Sequence, residues 1–348
     1  MSSVDPRASA QLRHPSSSIA QAMPATTEGE FVCGYCSSSK ALDSYSCSDT
    51  RGSIWRWTRC AACGAISLTP RPTPAQLAAA YDASYYGASD SKFEGPVERF
   101  IERCRRGRAR RLARGLSTGA RVLDIGCGNG GFLAALDSCG SFSLYGTELA
   151  GGSAQRAARH PNIQLKVGVL DAGDFQNESL DLVTLFHVFE HLTDPRSTLD
   201  LIHRALKPGG RLVMSFPNIG SVQARLFRGR WLHLDPPRHL FLFPSRAFAR
   251  AMDNAGFTIE RRRFFSVEQN PFGFIQSSLN LLLGPRDVLY ERLKGNTSYA
   301  PSHGSGSVFL QKAFAGLCLG PAIVLDLIES TLCLGATVEY TLRKRTAA

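Results

Sequence analysis

Asp124-Ile125-Gly126-Cys127-Gly128-Asn129-Gly130-Gly131 is the stretch on which the reading of this chain turns. The apolar run Arg121-Val122-Leu123 leads into it, and Phe132-Leu133-Ala134-Ala135-Leu136 leads out of it. A strand, a tight glycine turn and a helix N-terminus present bare backbone to a nucleotide-like ligand. The same glycines satisfy Gly-x-Gly-x-x-Gly, so alone they do not select a cofactor. Asp124 does: a carboxylate two residues before the first glycine repels a pyrophosphate but suits a cationic amino-acid end, such as the methionine moiety of S-adenosylmethionine.

Outward from that turn, strands and helices alternate about every 20 to 25 residues, as a doubly wound parallel sheet requires. Glu148 closes the next apolar strand, Leu144 to Thr147, where an acid can accept protons from both ribose hydroxyls. A third strand, Ile163 to Val169, leads into Leu170-Asp171-Ala172-Gly173-Asp174-Phe175. A fourth, Asp181 to Phe186, runs into His187-Val188-Phe189-Glu190-His191-Leu192, and Leu206-Lys207-Pro208-Gly209-Gly210 turns into a fifth, Arg211 to Phe216.

These segments resemble the class I S-adenosylmethionine-dependent methyltransferases over residues 119 to 264, and again at 335 to 344. The resemblance implies an α/β fold: a Rossmann-like, doubly wound, seven-stranded sheet with a small N-terminal zinc ribbon and a helical insertion before the last strand. It places Asp124, Gly126 and Gly128 at the methionine end of the cofactor, Glu148 at the ribose, Asp171 or its neighbours at the adenine, and His187 beside the cofactor. The expected organisation is a disordered tail (1–30), a zinc-ribbon module (31–72), a helical cap or linker (73–118), the methyltransferase core (119–264), the insertion (265–335) and the last strand with a basic tail (336–348).

The tail assignment rests on composition, because residues 1 to 30 are rich in Ser, Ala and Pro and have few large apolar side chains to offset chain entropy. No N-terminal segment joins a basic head to a long apolar run, so no secretory signal is read. Ten cysteines in that setting point to thiols and metal ligands in a reducing compartment, hence the cytoplasm, with peripheral contact at the inner membrane face as an extension. The formal charge of +11 is concentrated. Arg99, Arg103, Arg105, Arg106, Arg108, Arg110, Arg111 and Arg114 form a stripe, with smaller clusters at 261–263 and 343–345. Such a stripe binds an anionic partner, or it is a solvated helix face whose arginines pair with Glu98 and Glu102.

Cys33-Gly34-Tyr35-Cys36 and Cys60-Ala61-Ala62-Cys63 are two Cys-x-x-Cys knuckles flanking a strand-like segment, Ser53 to Thr58. Two such pairs can place four thiolates around a structural zinc with no open position. Cys47 is a spare between them. With Thr69-Pro70-Arg71-Pro72 and the tyrosines Tyr81, Tyr85 and Tyr86 that follow, the ribbon resembles the front end of bacterial methyltransferases from surface-polysaccharide and natural-product pathways. In those relatives the tyrosine segment lies over the cofactor, whereas ordinary packing at helical spacing explains the same residues equally well.

Methyl transfer from a sulfonium needs an in-line acceptor and, for a hydroxyl, a base. The carboxyl ends of the strands are where those groups belong. His187, Glu190 and His191 follow the fourth strand and share a face if helical, and His239 arrives in Asp235-Pro236-Pro237-Arg238-His239. His239 is the first choice of base and His191 the second. The pattern resembles the Glu-His segment of quinone and small-RNA O-methyltransferases, in which two glutamates and two histidines hold a divalent ion. Glu190, His191 and His239 match three of those positions and His187 replaces the fourth, which suits a softer ion than magnesium. Glu190 and His191 acting only to cap and orient the loop is the plainer alternative. No Asn-Pro-Pro-Tyr-like tetrapeptide follows the fourth strand, which disfavours methylation of an exocyclic base amine.

The sixth strand, Phe257 to Arg263, is expected to pair with a last one, Ala336 to Leu342. The insertion of about 70 residues between them far exceeds a hairpin loop. Its apolar run from Ala313 to Leu325 is too short to span a bilayer and reads as a lid, a dimer face or an interfacial helix, with Gly316, Gly320 and Pro321 favouring close packing. The function expected is S-adenosylmethionine-dependent methyl transfer (EC 2.1.1.-) to an oxygen of a small-molecule, glycan or lipid-linked acceptor, with anionic membrane as a further contact. An RNA methyltransferase gripping phosphate through ribbon and arginines, and a non-catalytic cofactor-binding module, are the alternatives; nucleic acid is the less favoured partner.

Overall fold

The computed structural model describes residues 31–81, 95–296 and 299–346. The tail to residue 30, and Tyr85 and Tyr86, lie outside the described residues. Strands β1 (Ala41–Ser48), β2 (Ile54–Cys60) and β3 (Ile66–Thr69) form a meander, followed by the short helix α1 (Pro74–Ala80) and the arginine-rich α2 (Pro96–Ala113). Next come β4 (Arg121–Ile125), α3 (Gly131–Asp137), β5 (Ser143–Glu148), α4 (Gly152–Ala157), β6 (Ile163–Val167) and β7 (Leu180–Phe186). Helix α5 (Pro195–Ala205), β8 (Leu206–Pro217), α6 (Val222–Phe227), a two-residue β9 (Phe241–Leu242), α7 (Ser245–Asn254) and β10 (Phe257–Arg263) complete the core. The insertion holds α8 (Asn270–Leu282), α9 (Val288–Leu293) and α10 (Ser305–Thr331), and β11 (Thr337–Lys344) ends the fold.

The large sheet has seven strands in the order β10-β11-β8-β7-β4-β5-β6. From β8 to β6 neighbours run parallel, and β11 enters antiparallel between β8 and β10. This is the Rossmann-like architecture expected. The parallel strands are buried over most of their length, as in β4 and β7, because helices cover both faces. Chain order reverses at β4, whose neighbours are β5 on one side and β7 on the other, and a crevice at the carboxyl ends of strands is where such folds bind ligands. Several strand limits differ from expectation, among them the last strand, which runs Thr337–Lys344 where Ala336 to Leu342 was expected. The third strand ends at Val167, and the fifth begins at Leu206, which pairs with Leu180 across an irregularity in register before regular pairing starts at Arg211.

The second sheet, β1-β2-β3-β9, is antiparallel, and its last strand comes from far along the chain. Ile66 and Ser67 of β3 oppose Leu242 and Phe241 of β9. The cysteine module is therefore closed by a strand of the core segment. One hydrophobic cluster runs through both parts, joining Cys33 and Cys60 to Phe189, Phe216, Phe241 and Phe248. Full burial of each such ring contributes about 1.5 to 3 kcal/mol, so the two units are stabilised together.

Helix α2 carries the arginine stripe. Arg105 pairs with Glu98 at 2.9 Å, Arg111 with Glu339 at 2.7 Å, and Arg108 with Glu268. Three of the eight cations are thus tied to the protein's own carboxylates, two of them on β11 and the segment before α8 rather than on α2. The insertion also departs from expectation. The helix containing Ala313 to Leu325 is 27 residues long, because it continues over Gln311, Asp326 and Glu329, polar residues that are buried against the protein. Gly316, Gly320 and Pro321 are exposed and do not mediate the close packing their small size suggested.

Candidate functional site

The glycine turn sits at the carboxyl end of β4. Gly126, Gly128 and Gly130 have φ of 66°, 59° and 77°, a region that side chains with a Cβ rarely adopt. At Gly126 a Cβ would also meet Val188 Cγ2 at 2.5 Å, so the turn and the segment after β7 are in direct contact. The Gly128 N–H donates to Glu148 Oε2 at 2.7 Å, which joins the β4 turn to the end of β5. Asp124 is buried and accepts from Thr184 Oγ1 at 2.6 Å. Burial pushes its carboxyl up to about 7, and burial likewise raises that of Glu148. Both acids thus lie beside the backbone cradle with their carboxyls raised by burial, where a cationic ligand end and hydroxyl donors would favour the ionised forms.

Asp171 lies exposed after β6, where Lys166 Nζ reaches it at 2.8 Å and Asp174 at 2.6 Å. The Asp171 N–H donates to Asp174 Oδ2 at 2.7 Å, which fixes the backbone of this loop.

The segment after β7 brings the second half of the site. His187 has a φ of 55°, and its N–H donates to the Ser215 carbonyl at 2.8 Å. A single 3-10 turn, Phe189–His191, follows, so His187 stands outside the helical turn on which a shared face was expected. The side chains meet nonetheless. Glu190 Oε1 lies 3.6 Å from His187 Nδ1 and 3.8 Å from His239 Nε2. Glu190, His191 and His239 each offer a ligand atom, all within 4.8 Å of one another.

Glu190 is 1% exposed, and among the described residues no donor reaches either carboxylate oxygen within hydrogen-bond distance, His187 Nδ1 at 3.6 Å coming nearest. Burial alone would raise its carboxyl, but the surrounding imidazoles hold it below the usual range. A buried carboxylate without donors is costly unless a cation answers it. The His239 Nδ1 contacts the His233 carbonyl at 2.9 Å, which makes Nδ1 the donor and leaves the Nε2 lone pair facing Glu190. Two imidazoles and one carboxylate are a donor set suited to a first-row divalent ion.

Two further residues support the cluster, of which only Tyr81 was singled out in the sequence. Tyr81 Oη is 2.8 Å from His191 Nδ1, so this tyrosine orients a site imidazole. His233 is half-buried and supplies the carbonyl that sets the His239 tautomer. Tyr81 was expected either over the cofactor or in ordinary packing, and neither reading names its contact with His191; His233 acts through its backbone, which the sequence does not signal.

The four cysteines of the ribbon also converge. Cys33 and Cys63 Sγ are 3.6 Å apart, as are Cys36 and Cys60 Sγ, and all four lie within 4.8 Å. Sulfurs bound tetrahedrally at about 2.3 Å from zinc stand about 3.8 Å apart, so the cluster is compatible with that ion. Cys47 is separate, packed in the second cluster with Trp55 and Trp57, where burial pushes its thiol up to about 11.

Residues 97–261 match a family described as a methyltransferase domain. Over 106 residues, 29% of this chain and 43% of the relative, the sequence is 33% identical to a protein of Idiomarina loihiensis named ubiquinone biosynthesis O-methyltransferase. Over 110 residues, 30% of this chain and 32% of the relative, it is 31% identical to an uncharacterized 37.1 kDa protein in a transposon of Streptomyces fradiae. The chain spans less than half the length of these curated relatives. A solved structure of geranyl diphosphate C-methyltransferase from Streptomyces coelicolor superposes with a TM-score of 0.45 at 16% identity, over 71% of this chain and 82% of that one.

Proposed function

We propose that this chain, a class I S-adenosylmethionine-dependent methyltransferase by the domain it carries over residues 97–261, methylates a hydroxyl oxygen of a sugar, glycan or lipid-linked small molecule. The observation that carries the reading is the contact of two halves: the glycine turn touches Val188, flanked by His187 and the Glu190 cluster. Asp124, Gly126 and Gly128 take the methionine end of the cofactor, Glu148 the ribose hydroxyls and the Asp171 loop the adenine. In the displacement the acceptor oxygen forms a bond to the methyl carbon while the carbon–sulfur pair goes to sulfur. The hydroxyl proton passes to His239 Nε2, whose lone pair is freed by the hydrogen bond at Nδ1. His191, held by Tyr81, is the second candidate.

The unanswered charge of Glu190 favours a second form of the same reaction. A divalent ion held by Glu190, His191 and His239 would act as a Lewis acid on the acceptor hydroxyl. His187, 3.6 Å from Glu190, is the remaining donor within reach. The ribbon cysteines hold a structural zinc. The RNA reading loses support because Arg105, Arg108 and Arg111 are already engaged by carboxylates.

Calorimetry with S-adenosylmethionine and with NAD, on wild type, Asp124→Ala and Glu148→Ala, tests the cofactor assignment. Sulfonium binding weakened by both substitutions supports it, and binding of NAD or of neither overturns it. Methyl transfer to a panel of hydroxyl acceptors before and after chelation then separates the two proton routes, and binding without turnover on any acceptor supports a non-catalytic module.

A further inference from the structure

A helix at a protein's surface normally turns its apolar stripe inward and its polar face to water. Helix α10 is built the other way round. Gln311, Asp326 and Glu329 face the protein, where Asp326 accepts from Asn270 Nδ2 at 2.7 Å and Glu329 from Gln223 Nε2 at 3.4 Å. The opposite face is aliphatic and aromatic: Phe309, Leu310 and Leu317 are 70%, 69% and 80% exposed, and Val324, Leu327 and Ile328 continue the row. Ala313 to Leu325 contains no charged residue. The helix is long and apolar enough to cross a membrane, yet its polar stripe is committed to α6, α8 and the segment before α8, so it lies along the body of the protein.

The apolar surface extends past α10. The antiparallel neighbour α8 ends in Leu281 and Leu282, 55% and 73% exposed, and α6, whose Gln223 touches Glu329, exposes Leu226. Cations border it. Arg225, Arg228 and Arg230 are exposed beside Leu226, and Lys312 is exposed on α10. Apolar surface of this extent, edged by positive charge, matches the boundary between acyl chains and anionic headgroups. A twofold contact with a second copy would set like-charged borders against one another, whereas phosphates complement them.

We infer that the α8–α10 hairpin docks this protein onto a bilayer containing anionic phospholipid, with the outer face of α10 lying in the plane of the interface. The docking does not depend on the methyltransferase reading, but it places the hairpin next to the site. The Leu232 N–H donates to Ser277 Oγ of α8 at 2.9 Å, and His233, whose carbonyl holds His239, follows directly.

The test is flotation of the purified full chain with phosphatidylcholine vesicles and with vesicles that also contain phosphatidylglycerol. Binding to the anionic vesicles, at least tenfold weaker on neutral ones and on the Leu317→Glu/Val324→Glu variant, is expected. Unchanged S-adenosylmethionine binding or an unchanged far-ultraviolet spectrum shows that the variant folds. Leu317→Trp gives an independent reading. The native Trp55, Trp57 and Trp231 are buried, so quenching of the new fluorescence by brominated acyl chains reports insertion at that position. A chain that ignores both vesicle types overturns the inference. So does a wild-type dimer that the double variant dissociates without any change in vesicle binding, which assigns the face to a second copy.

Discussion

The Leu240 N–H donates to the carbonyl oxygen of Glu190 at 2.8 Å, and the Leu240 carbonyl accepts from the N–H of Leu68 at 2.9 Å. One residue thus ties the ribbon sheet to the turn that carries the site carboxylate, immediately after His239. The knuckle presses on the same place, since the Gly34 N–H donates to Ser67 Oγ at 2.9 Å and a Cβ on Gly34 would meet the Leu240 carbonyl at 3.3 Å. The ribbon is a brace for the site.

If the four ribbon cysteines hold a metal as proposed, its loss should therefore damage chemistry as well as stability. Cys60 is fully buried in the shared cluster, so Cys60→Ser is expected to lower the melting temperature and to cut methyl transfer at least tenfold. A structural zinc site contributes folding free energy outright, on the order of 10 kcal/mol in small zinc-finger peptides. Metal analysis of the purified chain, followed by activity during chelation, checks this. Full activity in a zinc-free protein would separate ribbon from site.

Gly126→Ala should impair cofactor binding by tenfold or more, about 1.4 kcal/mol or above. The added Cβ collides with Val188 at 2.5 Å on a backbone at φ 66°. Gly107 supplies the control. It lies in the middle of α2 with nothing within 4 Å of a built Cβ, so Gly107→Ala should stabilise the protein by about 0.5 to 1 kcal/mol and leave binding unchanged. Calorimetry and thermal unfolding of the two variants read both effects.

The contrast between these glycines shows what was legible. Gly126 announced itself because a strand, an acid and a helix surround it in the sequence, and similar local signals marked the alternating strands and helices, while the seven-stranded sheet came from the family resemblance and its order from the structure. The Glu190 cluster was legible as a set, since Glu190 and His191 are adjacent and His239 sits in a Pro-bounded loop. Its geometry was not. The 3-10 turn that separates His187, and the β3–β9 pairing between Ile66 and Leu242, depend on contacts distant in the chain. Helix α10 was underestimated for a related reason: its polar residues end an apolar run in the sequence but satisfy one another's partners in space.

Glu190→Gln keeps shape and removes charge. If the carboxylate answers a cation, the substitution should lower kcat at least a hundredfold while leaving S-adenosylmethionine affinity within a few-fold, because the proposed function gives Glu190 to the acceptor and not to the cofactor. Tyr81→Phe should be milder, about tenfold or less, since it releases only one restraint on His191. Divalent-ion titration of the chelated protein, followed by calorimetry, should show one binding event fewer in Glu190→Gln than in wild type, the ribbon cysteines binding in both. A heat of binding equal to wild type would place the ion elsewhere.

Asp124 makes the cofactor site sensitive to pH. Its carboxyl is raised from 3.8 to about 7 because burial disfavours the charged form. In the unliganded protein the native state keeps a proton that the unfolded chain gives up, so this group's contribution to stability is greatest at low pH. It falls away as pH rises from about 4 through 7. A cationic ligand end reverses the preference by favouring the ionised carboxylate. S-adenosylmethionine affinity should accordingly rise severalfold between pH 6 and pH 8, and the ligand's effect on melting temperature should grow in parallel. Asp124→Asn removes the titrating group while keeping an acceptor for Thr184 Oγ1, so its weaker binding should be flat over the same interval. Parallel titrations of wild type and variant at pH 6, 7 and 8 decide the matter, since an equal rise in both would assign the dependence to another group of the protein, and a fall in both to loss of the ligand's own ammonium charge.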